Sequence, residues 1–289
     1  MSAEPSSTAP LSPVVDVFSF LDLLATPGTR VLDVRWALDG SKGRQTYLEG
    51  HVPGAVYVDL PTQLAAPARA GAGRHPLPAP EDFAGSMQEV GVSDGDTVLV
   101  YDDTDGSQAS RLVWMLRALG EQAALVDGGL SAYVEATGAT LETAPTAPAR
   151  GSFTPRPWGP QVIATADEVA AAAGSSGAAV VDARAGERYR GETEPIDPRA
   201  GHVPGAINVP FSGNVGADGR FLDPAALRAR FTDAGADPDG EVIVYCGSGV
   251  TATHDVLALQ RAGFERVRLF PGSWSQWSAD DTREVATGA

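Results

Sequence analysis

Residues 241–252 read Glu-Val-Ile-Val-Tyr-Cys-Gly-Ser-Gly-Val-Thr-Ala. The run Glu241–Tyr245 is short, apolar and β-branched, the pattern of a buried strand. The segment Thr253-His-Asp-Val-Leu-Ala-Leu-Gln-Arg-Ala-Gly263 reads as a helix with a glycine stop. Between them, Cys246 sits at the carboxyl end of a strand, on a glycine-permissive loop that opens a helix. Backbone N–H groups of such a loop point inward, and the helix dipole adds partial positive charge. A thiolate there is stabilised as a nucleophile, and a persulfide or a tetrahedral oxyanion would be held in the same way. Cys246 is also the only cysteine of the chain. A lone cysteine is often just a small buried hydrophobe. The glycines flanking Ser248 and the strand-to-helix position favour the reactive reading.

Working outward, the chain repeats itself. Val31-Leu-Asp-Val-Arg35 matches Val180-Val-Asp-Ala-Arg184, and Gly50-His-Val-Pro-Gly-Ala55 matches Gly201-His-Val-Pro-Gly-Ala206. Thr97-Val-Leu-Val-Tyr-Asp102 matches Glu241-Val-Ile-Val-Tyr-Cys246, and Leu125-Val-Asp-Gly-Gly-Leu130 matches Leu269-Phe-Pro-Gly-Ser-Trp274. Order and offset are kept across four blocks, which predicts tandem domains rather than a solenoid. Within each copy, short apolar strands alternate with helical stretches such as Ser110–Leu119 and Asp167–Ala173. That alternation predicts an α/β fold, a parallel sheet flanked by helices, with its site at the carboxyl ends of strands. The residue equivalent to Cys246 in the first copy is Asp102, which cannot carry a sulfane sulfur.

Composition narrows the function classes. A formal net charge of −16 over 289 residues argues against nucleic acid or an anionic membrane as partner. No apolar run reaches transmembrane length. One cysteine excludes an intrachain disulfide, and no zinc-type Cys/His cluster is present. The N-terminal residues lack the pattern of a signal peptide. A reactive thiol fits a reducing cytoplasm.

The duplicated Asp-x-Arg and Gly-His-Val-Pro-Gly-Ala blocks, with one active loop in the second copy, resemble the two-domain rhodanese superfamily of sulfurtransferases. The resemblance runs from about Val14 to Trp277. It implies two tandem rhodanese-like domains: a disordered leader over 1–12, a catalytically inactive copy over 13–142, a linker over 143–158 and a catalytic copy over 159–289. The Cys-Gly-Ser-Gly-Val-Thr loop is similar to that of 3-mercaptopyruvate sulfurtransferases, whereas thiosulfate enzymes of this fold typically carry a basic loop. The resemblance implies Cys246 as nucleophile, with Ser248 and His75 as proton-handling partners. It implies Arg188 and Arg199 as carboxylate-binding arginines, and Gly247, Gly249, Val250 and Thr251 as the loop that holds the sulfur. No cofactor or metal is expected. The donor is expected to be 3-mercaptopyruvate, or alternatively thiosulfate. The acceptor is expected to be a thiol, such as thioredoxin or a small thiol, or cyanide.

Two positions depart from the family pattern. The relay aspartate usually found two residues beyond Asp59 is replaced by Pro61, which leaves Asp59 as stand-in. The second cysteine that often follows the loop is Thr253. Duplicated residues occur in the silent copy too, so Asp33, Arg35, Asp182, Arg184, His51 and His202 read as scaffold. His254 reads as a solvated helix residue, and Trp36 and Trp274 as aromatics that could line the cleft. A phosphatase is disfavoured because the loop ends in Ala252 rather than arginine. A non-enzymatic sulfur-relay or binding module is the remaining rival from another class.

Overall fold

The computed structural model describes residues 10–175 and 177–289. Nine strands are present among them: β1 (Val14–Val15), β2 (Thr29–Asp33), β3 (Val56–Tyr57), β4 (Thr97–Tyr101), β5 (Gln122–Val126), β6 (Ala178–Asp182), β7 (Ile207–Asn208), β8 (Glu241–Tyr245) and β9 (Val267–Leu269). They form two separate sheets, ordered β1-β5-β4-β2-β3 and β7-β6-β8-β9. Every pairing is parallel. Parallel strands need crossovers, and helices supply them, so both faces of each sheet are covered. The near-continuous apolar runs of β4 and β8 follow from that: their last four residues are buried in both cases.

The repeat seen in the sequence is a repeat in space. β2 pairs with β4 as β6 pairs with β8, register for register. Ile163 even forms a single parallel bridge to Leu269, on the edge where β1 lies against β5 in the first copy. The duplicated Asp-x-Arg motifs make the same buried fork: Arg35 Nη2 to Asp33 and Arg184 Nη2 to Asp182, both at 2.7 Å. Each guanidinium then donates to the carbonyl of the glycine before the paired histidine, Gly50 or Gly201. His51 and His202 stack on Tyr47 and Tyr189, both at 3.7 Å between ring centroids. These residues fasten loops to strand ends, which is scaffold work in both halves.

Residues 1–9 of the expected leader lie outside the described residues, but Leu11 is joined to the first sheet through Gln122 and Arg117. The segment 143–158 is not a loose tether. Phe153 is buried against Phe83, and Trp158 stacks on Trp114. One hydrophobic core runs across both halves, from Val98 and Leu116 to Val256 and Leu259. No helix among the described residues is long and apolar enough to cross a membrane.

Candidate active site

β8 delivers Cys246 to the carboxyl edge of the second sheet, and the following helix runs over Ala252–Arg261. Cys246 is buried, and its Sγ accepts the Gly249 N–H at 3.1 Å. Gly249 has φ +78°, and a β-carbon there would collide with the Pro271 carbonyl oxygen, so only glycine fits. The silent loop explains what the cradle is for. Asp102 places its own carboxylate in it and accepts N–H groups from Thr104, Gly106, Gln108 and Ala109. The first copy thus keeps the anion-binding loop and fills it with a side chain.

Ser273 supports Cys246 from behind. It is the only non-glycine residue with positive φ (53°) among the described residues, and Gly129 holds the equivalent place in the silent copy with the same φ. Its hydroxyl accepts the Cys246 N–H at 3.2 Å and donates to the Phe270 carbonyl. A strained backbone at a site is held by its surroundings; the hydroxyl that glycine would lack is the local gain.

The loop opens onto a cavity of about 430 Å³ between the halves. Cys246, Gly247, Ser248, Val250 and Thr251 line one wall, with Arg184, Arg188, Ile196 and Phe211 beside them. The first half contributes Trp36, Arg74, His75 and Gln108. His75 Nδ1 lies 2.9 Å from Ser248 Oγ. Burial first, then the charges of Arg111 and Arg74, push the His75 imidazole down to about 4, so it is neutral at pH 7.

Two of the expected site residues are elsewhere. Arg199 does not face the cavity: all its nitrogens donate to carbonyls of the C-terminal segment, namely Ser278, Arg283, Trp277 and Asp280. A guanidinium has five donors in a rigid fork, and this one is occupied with folding the chain end. Asp59 does not reach His75 either. Its carboxylate accepts from Tyr57 and Thr62, and no carboxylate hydrogen-bonds the His75 ring among the described residues. His254 is not solvated. It is buried, stacked at 4.4 Å on Phe221, with Nε2 against the Asp105 carbonyl across the domain boundary. Trp274 is a core residue under Arg184, whereas Trp36 does line the cavity, edge-on to His75.

Sequence reading missed two arginines near the sulfur, Arg111 and Arg74, and read a third, Arg184, as scaffold. Arg184 borders the cavity but is held by Asp182 and Glu194. Arg111 is fully buried and donates to the carbonyls of Gly249, His75 and Leu64. Arg74 enters from the loop beside His75 and pairs with Asp197. Its adjacency to His75 was the one signal available.

The chain matches the family model of the rhodanese-like domain twice, over residues 18–136 and 165–280. It is 46% identical over 270 residues to a Pseudomonas aeruginosa protein provisionally named as a 3-mercaptopyruvate sulfurtransferase, covering 92% of this chain and 94% of that one. It is 43% identical over 263 residues to a Mycobacterium tuberculosis protein provisionally named as a thiosulfate sulfurtransferase, covering 89% and 90%. Its fold superposes on the Escherichia coli 3-mercaptopyruvate enzyme with TM-score 0.80 at 33% identity, covering 91% of this chain and 99% of that one. With two matched domains, close relatives over nearly the whole chain and a shared fold, the chain belongs to the rhodanese family of sulfurtransferases.

Proposed function

We propose that this sulfurtransferase moves a sulfane sulfur from 3-mercaptopyruvate to a thiol or cyanide acceptor through a persulfide on Cys246. The observation that carries the choice of donor is the Ser248–His75 pair at 2.9 Å, beside the thiol and spanning the two halves. Thiosulfate leaves as sulfite, which needs no proton. Mercaptopyruvate leaves as a pyruvate enolate, which does.

The Cys246 thiolate attacks the substrate sulfur. A sulfur–sulfur bond forms, the carbon–sulfur bond breaks, and the electron pair goes to the enolate. Ser248 protonates the enolate carbon and is recharged from His75 Nδ1–H, while solvent reprotonates the ring at Nε2. The persulfide proton leaves to solvent, so the transfer is proton-neutral overall. The Gly249 N–H, already on Sγ, supports the sulfur during the exchange. An acceptor thiol, such as a small thiol or thioredoxin, or cyanide then takes the outer sulfur. The cysteine carries the sulfur covalently, so no cofactor enters the scheme. A nucleophilic thiol of this kind suits a reducing compartment such as the cytoplasm.

Incubation with 3-mercaptopyruvate alone should add one sulfur atom to the intact mass, and Cys246→Ser should abolish both the adduct and turnover. Steady-state kinetics with the two donors side by side should give the higher kcat/KM for mercaptopyruvate. A wild type that prefers thiosulfate would overturn the donor assignment.

A further inference from the structure

We propose that Arg74, supplied by the non-catalytic half, is the second guanidinium that holds the substrate carboxylate together with Arg188. The inference rests on a keto-acid donor, as proposed above.

A keto acid carries its negative charge two carbons from the sulfur-bearing carbon. Its carboxylate must therefore sit close to the cysteine loop, next to cations with free donors. Arg199 spends four of its five N–H donors on carbonyls away from the cavity and does not line it. Arg184 is wedged between Asp182, Glu194 and the Gly201 carbonyl. Arg74 and Arg188 differ from both. Arg74 Nη1 pairs with Asp197, and its Nη2 and Nε have no hydrogen-bond partner among the described residues. Arg188 Nη2 donates to Glu194 at 2.6 Å and to Asp197 at 3.3 Å, which leaves Nη1 without a partner and Nε buried without one.

The free edges converge. A β-carbon built on Gly247 would lie 3.0 Å from Arg74 Nη2 and 3.5 Å from Arg188 Nη1. Gly247 is the residue after Cys246, so both unpaired edges face the space beside the nucleophile. Asp197 bridges the two guanidinium groups on their far side and fixes their spacing. The loop carrying Arg74 is itself anchored to the catalytic half, through the Arg74 N–H to Ser275 Oγ at 3.1 Å. Two forks held at one carboxylate can grip a second one, with parallel charge-assisted bonds. The absence of a side chain at Gly247 leaves room for it. The silent half then supplies a substrate-binding cation as well as His75, and the site exists only where the halves meet.

The test compares wild type with Arg74→Gln, Arg74→Lys and Arg199→Gln, using 3-mercaptopyruvate turnover and inhibition by pyruvate. Pyruvate has the carboxylate and keto group but no sulfur, so it reads binding apart from chemistry. Arg74→Gln should raise KM and the pyruvate inhibition constant together, by roughly 30- to 100-fold, with a smaller change in kcat. Arg74→Lys keeps a cation for Asp197 and guards against a folding defect. It should still lose roughly 10-fold, because one ammonium cannot serve Asp197 and the ligand with a fork. Arg199→Gln should lower the melting temperature and leave pyruvate inhibition within about twofold of wild type. Unchanged pyruvate inhibition in both Arg74 variants overturns the proposal, as does a large rise in Arg199→Gln. A wild type that ignores mercaptopyruvate and uses thiosulfate would instead overturn the donor reading, whichever way the pyruvate titrations fall.

Discussion

At the residue scale, the site depends on a few atoms whose chemistry is set by neighbours rather than by type. His75 is an example. Desolvation and two nearby arginines hold its imidazole near 4, below its ordinary value of 6.5. It is neutral throughout the neutral range, the state that the proposed proton transfer to Ser248 requires. Two outcomes follow. The pH profile of kcat/KM should contain no limb near 6.5 that disappears in His75→Ala. Ser248→Ala and His75→Ala should each lower kcat with mercaptopyruvate by about 10²–10⁴-fold, the usual range for a lost proton-transfer partner. The double variant should lose little more than the worse single one, because the two act as a unit. Additive losses would separate them. The depressed value also has a stability sign. The folded state resists protonation between about 6.5 and 4, so the His75 contribution is present above that window and is lost as pH falls through it.

At the element scale, the helix Ala252–Arg261 does more than present its N-terminus to the thiol. It is buried over its first eight residues, and so carries polar groups into the core. Asp255 is the extreme case. Burial pushes its carboxyl up to about 8; a hydrogen bond from Asn214 and the charge of Arg230 oppose the shift, and Asp182 adds to it. Asn214 Nδ2 donates to Oδ1 at 2.6 Å, while Oδ2 is buried without a partner. The folded chain therefore binds a proton that the unfolded chain has released above the ordinary carboxyl value of 3.8. Stability from this group is full at low pH and declines as pH rises toward about 8. Asp255→Asn, which preserves shape and the Asn214 contact, should flatten that decline in urea unfolding measured from about pH 5 to about pH 9. An unchanged slope would show that the carboxyl is ionised in the fold.

At the scale of the whole molecule, the half without a cysteine lines the same cavity as Cys246. Arg111, on the helix Ala109–Ala118, crosses the boundary fully buried. It donates to Gly249 at 2.6 Å on the catalytic loop and to His75 at 3.1 Å on the opposite wall. Burial pushes its guanidinium down to about 10, and its electrostatic interaction with Cys246 works in the other direction. Ser110 and Thr253 meet at 2.9 Å beside it. Arg111→Met should leave the carbonyls of Gly249 and His75 without their common donor. Unpartnered buried carbonyls cost about 1–3 kcal/mol each, so the melting temperature should drop. Turnover should fall further than the lost stability accounts for, since the sulfur cradle and the His75 segment lose their shared tie. Wild-type turnover in a destabilised Arg111→Met would mean that each wall holds itself.

The local pattern of this chain was enough to determine its elements and its duplication. Apolar β-branched runs ending in Asp33, Asp102, Asp182 and Cys246 mark strands, and the helices at Ala109–Ala118 and Ala166–Ala172 fall within a residue of their periodic stretches. The place of Cys246 was legible for the same reason, because a strand, a glycine loop and a helix are consecutive in sequence. What only the tertiary structure decided lies across the boundary between the halves. Arg199 and Arg188 sit in one segment, yet the C-terminal carbonyls take the first and leave the second at the cavity. Asp59 precedes Pro61 as expected, but its carboxylate is turned to Tyr57 and Thr62. Arg74 and Arg111 gain their places from residues more than a hundred positions away. Periodicity reports which face of an element is buried; it does not report which of two distant elements a charged side chain meets, because that choice is made by packing.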